Sequence, residues 1–223
     1  MSQHIVKIKV INHINHDVLQ IVTEKPPKYL FTPGQATEVS INKTGWKVKK
    51  RPFTFTCLPG DDYLEFTIKT YPAKKGVTNE LLMLKKDDEL ILHDVFGTIS
   101  YKGEGLFIAG GAGVTPFISI IRDLNAKNEV GNNKLIFSNK TQFDIILAGE
   151  LEKILGENFI NILSEEKIGK YANGLITEGF LSAYINDTIK NIYLCGPPPM
   201  MEAVEKQLVN LYVNEKIIVK EVF

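Results

Sequence analysis

The 223-residue sequence has little cysteine and no excess charge of either sign. Cys57 and Cys195 lie far apart and outside any Cys-x-x-Cys pair. A disulfide framework, a structural zinc site and a cysteine-ligated iron–sulfur cluster are therefore disfavoured. The 26 basic and 26 acidic side chains cancel to a formal net charge of +0. No basic surplus indicates binding to nucleic acid or to an anionic membrane.

Long apolar segments and metal-binding histidine patterns are also missing. The longest stretch without a charged residue, residues 105–121, is shorter than the ~20 residues that a bilayer span needs, and it contains glycines and a proline. The amino terminus has alternating strand patterning and no unbroken apolar core of a signal peptide. His4, His13, His16 and His93 follow no metal-ligand spacing. We therefore expect a cytoplasmic protein, monomeric by default, with no metal and no membrane segment.

The first hundred residues have the pattern of an antiparallel sandwich or barrel. Turns that contain proline, glycine or aspartate separate short apolar runs. The predicted strands are residues 4–12, 18–24, 36–42, 53–58, 63–70 and 89–93. Residues 78–84 are predicted to form a short helix, because Thr78 can cap the apolar segment that follows it.

After about residue 103 the pattern changes to apolar strands that alternate with helices. The predicted strands are residues 106–109, 134–137, 159–163, 191–194 and 217–219, and the predicted helices are residues 116–125, 144–155, 178–185 and 199–212. This order is typical of a parallel sheet with crossover helices. The sequence therefore predicts two domains, residues 1–102 and residues 103–223.

A glycine-rich turn follows the first strand of the second half. Residues 106–116 read Leu-Phe-Ile-Ala-Gly-Gly-Ala-Gly-Val-Thr-Pro, so that an apolar strand leads through glycines into a helix. Glycines allow backbone amides to approach a ligand, and a helix N-terminus favours an anionic phosphate. Pro116 stands where G-x-G-x-x-G would have its third glycine, so that motif is incomplete. A tight turn without a ligand is the alternative.

A second loop, residues 195–200, reads Cys-Gly-Pro-Pro-Pro-Met and also follows an apolar strand. Ligands bind outside the carboxyl ends of strands in an open α/β sheet, so this loop and the glycine turn are expected to share one crevice. We interpret Cys195 as a small buried side chain and not as a nucleophile, because no nearby histidine offers a base.

Two motifs in the first half suggest a phosphorylated planar ligand. Residues 51–54, Arg-Pro-Phe-Thr, combine a cation, an aromatic face and a hydroxyl at the start of a strand. An arginine can bind phosphate through its fork while an aromatic ring stacks on the ligand. Residues 74–78, Lys-Lys-Gly-Val-Thr, precede the short helix and offer a second phosphate contact. Surface charges and a turn are the alternative for each motif.

Taken in order, the motifs at residues 51–54, 76–78, 110–116 and 195–200 and the terminal Glu-Val-Phe resemble the ferredoxin-NADP(+) reductase family of flavoproteins. That family includes flavodoxin reductases, cytochrome b5 reductase and the reductase modules of oxygenases. The resemblance covers nearly the whole chain. It implies a flavin-binding, antiparallel Greek-key β-barrel followed by a nucleotide-binding, Rossmann-like α/β domain with a parallel sheet, with the flavin between them. The implied cofactors are FAD, more than FMN, and NADPH or NADH as the donor.

The resemblance also implies roles for residues of the barrel. Arg51 would hold flavin phosphate, Phe53 would lie against the isoalloxazine, and the Thr54 hydroxyl would point at flavin N5. The family usually has tyrosine in place of Phe53, so a phenolic hydrogen bond is missing. The implied cofactor-binding residues are Arg51, Pro52, Phe53, Thr54, Ile68, Lys69, Thr70, Gly76, Val77 and Thr78. Residues 93–97 depart from the family pattern, and we assign them no role.

In the second domain the resemblance assigns the glycine turn to the nucleotide phosphates and the second loop to the nicotinamide. The corresponding residues are Gly111, Gly113, Thr115 and Pro116, then Asn139 and Lys140 after the second strand, and then Cys195, Gly196 and Pro197. Glu221 and Phe223 would border the flavin. Thr54, Cys195 and Glu221 are the expected catalytic residues.

The resemblance implies an NAD(P)H-dependent reductase that passes electrons to a protein acceptor such as flavodoxin, ferredoxin, an oxygenase component or a haem protein. Reduction of free flavin or ferric chelates is an alternative, and a non-catalytic flavin- or nucleotide-binding regulatory subunit is another. The choice of donor stays open. Lys140 favours the 2′-phosphate of NADPH, whereas the segment around it is similar to the NADH-using cytochrome b5 reductases.

Overall fold

The computed structural model describes residues 3–71, 73, 75–186 and 188–221. Within these ranges the chain forms two six-stranded sheets, one antiparallel and one parallel. This confirms the predicted fold class. The short β-strands of the first hundred residues form the antiparallel sheet, and the strands that alternate with helices after them form the parallel one.

The antiparallel sheet closes into a barrel. Its strands are β1 (His4–His13), β2 (Val18–Glu24), β3 (Ala36–Ile41), β4 (Arg51–Thr54), β5 (Tyr63–Lys69) and β6 (Glu89–Phe96), in the order β4-β3-β6-β1-β2-β5. Just after β4, Phe55 forms a bridge with Phe66, and the Thr56 N–H donates to the Glu65 carbonyl at 2.8 Å. The two end strands of the sheet therefore meet, with Phe55 and Phe66 fully buried inside.

Strand β4 lies earlier in the chain than the predicted strand at residues 53–58. It begins at Arg51 and includes Pro52, because its regular pairing is with β3 alone. A proline is tolerated in such a terminal strand, since its missing N–H can face the side without a partner. The predicted short helix is present as α1 (Val77–Glu80), followed by a 3-10 turn at Leu81–Met83.

The parallel sheet consists of β7 (Leu106–Gly110), β8 (Lys134–Asn139), β9 (Phe159–Leu163), β10 (Ala172–Asn173), β11 (Ile192–Cys195) and β12 (Ile218–Lys220), with helices α2 (Thr115–Ala126), α3 (Ala148–Leu155), α4 (Glu178–Ser182) and α5 (Pro198–Asn210). The strand order is β10-β9-β8-β7-β11-β12. The chain therefore builds outward from β7 in one direction and then crosses to β11 on the other side. The point between β7 and β11 is a topological switch point, where ligands of open α/β sheets bind.

The helix predicted at residues 144–155 starts later than expected. Asp144 ends a 3-10 turn, and its carboxylate accepts hydrogen bonds from the Thr141 N–H and hydroxyl at 3.0 and 2.8 Å. Ile145 and Ile146 then enter the core, and Leu147 has a φ of +51° before α3 begins. Local capping and burial of these isoleucines interrupt the helical periodicity. Helix α4 is also shorter than predicted, since it ends at Ser182.

The barrel and the parallel sheet are packed closely against each other. Val18 of the barrel is buried in the same apolar cluster as α2. The Gly34 N–H donates to the Ser119 hydroxyl of α2 at 2.9 Å. Gly34 has a φ of +98°, and a Cβ there would lie 2.5 Å from the Ile99 carbonyl oxygen, so only glycine fits. Among the helices of the described ranges, none is long and apolar enough to cross a membrane.

Candidate functional site

A cleft lies between the barrel and the switch point of the parallel sheet. It has an inner part of about 410 Å³ beside β4 and β5, and an outer part of about 540 Å³ beside the ends of β8 and β9. Lys69, Tyr71, Gly110, Ala112 and Pro197 line both parts. The two parts are therefore neighbours within one interdomain cleft.

The barrel contributes a flat apolar wall and a hydroxyl to the inner part. Pro52, Phe53 and Thr54 of β4 line it together with Ile68 and Lys69 of β5. Phe53 also packs partly against the barrel core, which holds its ring in place. A planar ring system fits such a wall, since aromatic faces stack on planar ligands.

The two predicted ligand loops of the second domain meet in the inner part. A Cβ at Gly113 would lie 2.3 Å from the Cys195 carbonyl oxygen, and a Cβ at Gly110 would lie 2.2 Å from the Met200 sulfur. These glycines therefore let the loops pack against each other. Gly111 is different, because it has a φ of +50° and nothing lies within 4 Å of the position of its missing Cβ. Its bare backbone leaves room for a ligand.

Helix α2 begins at the same place. Thr115 and Pro116 line the inner part, and the Thr115 hydroxyl donates to the Ala112 carbonyl at 3.0 Å. The N-terminus of this 12-residue helix is directed at the cleft. Such an end carries free N–H groups and a partial positive charge, which fit a phosphate group.

Cys195 and Glu221 are neighbours at the inner part. Burial raises the pKa of the Cys195 thiol to about 12, and the charge of Glu221 adds to this effect. The thiol is therefore neutral, as expected for a side chain that is not a nucleophile. Burial also raises the pKa of Glu221 above its usual range, although a hydrogen bond from the Thr98 backbone acts to lower it. Glu221 is thus a carboxyl group that binds a proton more readily than an exposed one.

Residues 93–97, to which the sequence analysis assigned no role, contribute to this site. Phe96 lines the inner part and is 38% exposed. A Cβ at Gly97 would lie 3.1 Å from Glu221 Oε1, so this loop borders the carboxyl group. We therefore correct the expectation that residues 93–97 have no role, because Phe96 and Gly97 border the cleft. Their departure from the family pattern hid the contact, which depends on how β6 ends against the second domain.

Asn139 lies at the outer part with its amide unsatisfied. The residue is 6% exposed, and neither Oδ1 nor Nδ2 has a hydrogen-bond partner among the described residues. A buried polar group without a partner is costly, so the site fits a ligand that both donates and accepts hydrogen bonds. The hydroxyls of a ribose have this property. Ser138 and Ser164 line the same part and add further hydroxyls.

Lys140 does not present an unpaired charge to the cleft. Its ammonium lies 2.7 Å from the Glu165 carboxylate, and both side chains are exposed. The Lys140 ammonium, which by sequence favours binding of a 2′-phosphate, is thus paired with the Glu165 carboxylate. Glu165 was missed because it lies 25 residues further along the chain and comes next to Lys140 only through the pairing of β8 with β9.

A charged cluster crosses between the domains where the inner and outer parts meet. The Lys69 ammonium lies 2.7 Å from Asp17 and 3.5 Å from Asp144. Burial alone would raise the pKa of Asp144, but hydrogen bonds from Thr141 and the charges of Lys69 and His16 lower it below its usual value. His16, Asp17 and Asp144 could by spacing hold a metal ion. The Lys69 ammonium already supplies a positive charge there.

Some predicted residues do not line the cleft. Arg51 is exposed and donates to the Lys50 carbonyl at 2.7 Å. Thr70 is buried and donates to the Asp17 carbonyl at 2.9 Å, and Val77 is buried in the barrel core. Gly76 immediately precedes α1. Phe223 lies outside the described residues.

Sequence reasoning also missed residues that line the cleft. Those of the inner part are Ala36, Thr67, Tyr71 and Phe96, and those of the outer part include Asp144, Ser164, Leu175, Ile176 and Thr177. Ser164 directly follows β9, so the rule that ligands bind at the carboxyl ends of strands was a signal that could have found it. The others reach the cleft from β3, β5 and β6 and from loops, for which the sequence carries no motif.

Two family models match successive parts of this chain. Residues 3–103 match a family model described as an FAD-binding domain, and residues 107–206 match one described as an oxidoreductase NAD-binding domain. The two models meet between β6 and β7, where the barrel gives way to the parallel sheet.

Individual relatives are similar over most of the chain. NADH-cytochrome b5 reductase 2 of Mycosarcoma maydis is 30% identical over 221 residues, which cover 88% of this chain and 62% of the relative. The reductase component of propane 2-monooxygenase of Mycolicibacterium goodii is 29% identical over 208 residues, covering 83% of this chain and 57% of the relative. The chain therefore spans about three-fifths of the length of these relatives.

Among solved structures, the CS-b5R domains of human Ncb5or in the NAD+ form are similar to this chain. The TM-score is 0.85 at 25% identity, and the similarity covers 99% of this chain and 70% of the other. The arrangement of barrel and parallel sheet is therefore shared.

Proposed function

Because the chain belongs to the ferredoxin-NADP(+) reductase-like family of flavoproteins, we propose that it is an NAD(P)H-dependent flavoprotein reductase that passes electrons to a protein acceptor. The observation that carries this proposal is the single cleft lined by β4 and β5 of the barrel and by both ligand loops of the parallel sheet. FAD bound there would accept a hydride from the nicotinamide and release single electrons. The protein supplies orientation and exclusion of water.

On the barrel side, Phe53 would lie against the flavin ring and the Thr54 hydroxyl would point at its N5. Ile68 and Lys69 border the ring from β5, which lies beside β4 in the inner part of the cleft. Pro52 and Thr78 line the same part. Thr70 would line the polar edge of the ring with Ile68 and Lys69 through backbone groups, and Arg51, Gly76, Val77 and Thr78 would bind the flavin phosphate. The exposure of Arg51 leaves its guanidinium accessible for this contact.

On the nucleotide side, Gly111 and the N-terminus of α2 at Thr115 and Pro116 hold the phosphates. The open space above Gly111 supports this role. Asn139 hydrogen-bonds a ribose through its unsatisfied amide. Gly113, Cys195, Gly196 and Pro197 shape the nicotinamide position, where the neutral Cys195 thiol packs and excludes water. Glu221 would border the flavin, where its raised pKa makes its carboxyl group bind a proton more readily than an exposed one does.

The donor is NADH in preference to NADPH. Lys140 lines the outer part, and the Glu165 carboxylate 2.7 Å from its ammonium would repel a 2′-phosphate placed there. Removing one exposed negative charge at about 4 Å changes the interaction by ~1 kcal/mol, or roughly fivefold in affinity. We expect Glu165→Gln to raise kcat/KM for NADPH by about that factor, with little change for NADH. Glu157→Gln, which removes an exposed carboxylate elsewhere in this domain, is the control. Equal kcat/KM values for NADPH in the two variants would contradict this assignment.

The acceptor is an electron-transfer protein, and the chain is a cytoplasmic monomer with domains at residues 1–102 and 103–223. Cys57 and Cys195 are free thiols, which supports a reducing compartment. Mass measurement by light scattering tests the monomer. Separate expression of the two segments tests the domain boundary.

The test of the function is the anaerobic visible spectrum of the purified protein before and after stoichiometric NADH and, separately, NADPH. Flavin bands that bleach support the reductase, and the faster donor is the preferred one. Bands that persist with both donors refute it, and absence of flavin after reconstitution with FAD favours a non-catalytic subunit. Turnover with free FMN or a ferric chelate, compared with a flavodoxin or ferredoxin, separates a free-flavin reductase from one with a protein acceptor.

A further inference from the structure

The Arg122 side chain of α2 links the two domains. Arg122 Nε and Nη2 donate to the two carboxylate oxygens of Glu150 at 2.5 and 2.8 Å. Its Nη1 donates to Glu65 Oε1 at 2.5 Å and to the Thr56 carbonyl at 2.6 Å. Glu150 belongs to the same domain as Arg122, whereas Glu65 and Thr56 belong to the barrel. Glu150 therefore orients the guanidinium, and Nη1 makes the contact between domains.

This network is buried and fully connected on the barrel side. Glu65 is 6% exposed, and its carboxylate also accepts hydrogen bonds from Thr56 Oγ1 at 2.9 Å and from Gln20 Nε2 at 2.8 Å. Burial alone would lower the pKa of Arg122, but the hydrogen bonds and charges of Glu150 and Glu65 raise it above its ordinary value. The guanidinium therefore stays charged in the interface. A two-sided contact of this kind needs the planar fork of arginine, which lysine lacks.

The two domains are separated by a cavity of about 450 Å³ next to this network. It is lined from the barrel by Cys57 and Tyr63 and from the second domain by Asn125 and Ile154. Packing of apolar side chains does not fill this region. Arg122 lines this cavity and bridges it to the barrel through Glu65 and Thr56.

Both ends of the contact connect to the cleft through short, rigid paths. Thr56 follows Thr54 by two residues, and the Phe55 and Thr56 N–H groups are bonded to the Gln35 and Glu65 carbonyls. Arg122 lies on the same helix whose N-terminus lines the cleft. A shift at Arg122 therefore moves the start of α2 relative to β4.

We propose that Arg122 is a positioning residue that aligns the bound dinucleotide with the flavin. It does so through the contact of its guanidinium with Glu65 and Thr56, and we name this contact the interdomain latch. The inference rests on the proposed reductase function. Arg122 touches neither ligand. It acts through the distance between the N-terminus of α2 and the strand that carries Phe53 and Thr54.

The first test is the rate of FAD reduction by saturating NADH in the FAD-loaded Arg122→Gln variant. Misplacement by 1 Å can slow a reaction about 100-fold, so we expect a decrease of roughly 10- to 100-fold. The Kd of NADH, taken from the concentration dependence, is expected to change less than about threefold, because Arg122 lines neither part of the cleft. Reduction by dithionite is expected to be unchanged. The rate of FAD reduction in Arg122→Lys is expected to lie between those of Arg122→Gln and the wild type.

The control is Lys127→Gln, which removes an exposed cation from the C-terminal end of the same helix. A rate for Arg122→Gln within twofold of the wild type would overturn the proposal, as would an equal loss in the control. If Arg122→Gln does not fold, Glu150→Gln is measured, since it releases the guanidinium and leaves Glu65 paired.

The second test uses the protein without FAD or NADH and is independent of turnover. Hydrogen–deuterium exchange is expected to become faster in Arg122→Gln at the amides of Phe55 and Thr56 and in the first turn of α2, and to stay unchanged in the Lys127→Gln control. Unchanged exchange at these amides would overturn the latch. If the proposed function is wrong, the wild type itself fails to bleach with either nucleotide while the exchange difference persists.

Discussion

Replacing Gly113 by alanine tests whether the close packing of the two ligand loops sets the geometry of the cleft. The new Cβ would lie 2.3 Å from the Cys195 carbonyl oxygen, 2.5 Å from its carbonyl carbon and 2.6 Å from Gly196 Cα. An ordinary contact begins at 3.4 Å, so the loops must separate by roughly 1 Å. These neighbours are backbone atoms next to β11 and cannot turn away as a flexible side chain would.

The expected cost has two parts. Overpacking of this kind typically destabilises a protein by about 1–3 kcal/mol. A displacement of ~1 Å between the nicotinamide position and the flavin slows hydride transfer by about 100-fold. We therefore expect Gly113→Ala to lower the denaturant midpoint and to slow FAD reduction by NADH, while FAD stays bound to the barrel.

The assays are urea unfolding and anaerobic stopped-flow reduction at saturating NADH. Gly149→Ala is the matched control, because Gly149 lies in the first turn of α3 with nothing within 4 Å of its Cβ position. Alanine there is expected to stabilise the helix by roughly 0.5–1 kcal/mol without changing the reduction rate. A reduction rate for Gly113→Ala equal to that of the wild type would refute the argument.

Four further predictions concern individual side chains. Cys195→Ala is expected to slow flavin reduction by about tenfold with FAD still bound, since the buried thiol packs at the nicotinamide position; an unchanged pre-steady-state rate contradicts it. Asn139→Ala is expected to weaken NADH binding by roughly tenfold without loss of stability, because its amide has no partner among the described residues; titration and thermal unfolding measure both. Gly34→Ala is expected to destabilise the protein by ~1–3 kcal/mol through its contact with the Ile99 carbonyl, and an unchanged melting temperature argues against this. The pKa of Glu221 is raised on folding, so the folded state binds the proton more tightly than the unfolded state does. The stability of the wild type relative to Glu221→Gln should therefore fall as pH rises above about 4.5. Parallel pH dependences of the urea midpoints of the two proteins would exclude this effect.

Much of the fold follows from local patterning. Alternating apolar residues in the first half and apolar runs separated by helical segments in the second predicted both sheets, because burial on one face or on both faces leaves different periodicities. The bounds were less predictable. β4 includes Pro52 because of its place at the end of the sheet, and α3 starts late because Asp144 caps the preceding turn.

The candidate site was predictable where a motif lies within one loop. Residues 110–116 and 195–200 each follow a strand, and the switch-point rule placed both in one crevice, which the structure confirms. Arrangements between distant segments were not predictable. Glu165 meets Lys140 only because β8 and β9 are paired, and Phe96 enters the cleft only because β6 ends against the second domain.

The sequence by itself determined the order of the two domains, their sheet types and the loops that bear glycine and cysteine, because these depend on side chains a few residues apart. Only the tertiary structure decided which charges are paired and how the domains are aligned. Arg122 reaches Glu65 across 57 residues of sequence and Thr56 across 66. No local pattern records such a contact, since its energy depends on burial and geometry that exist only after both domains have folded and packed together.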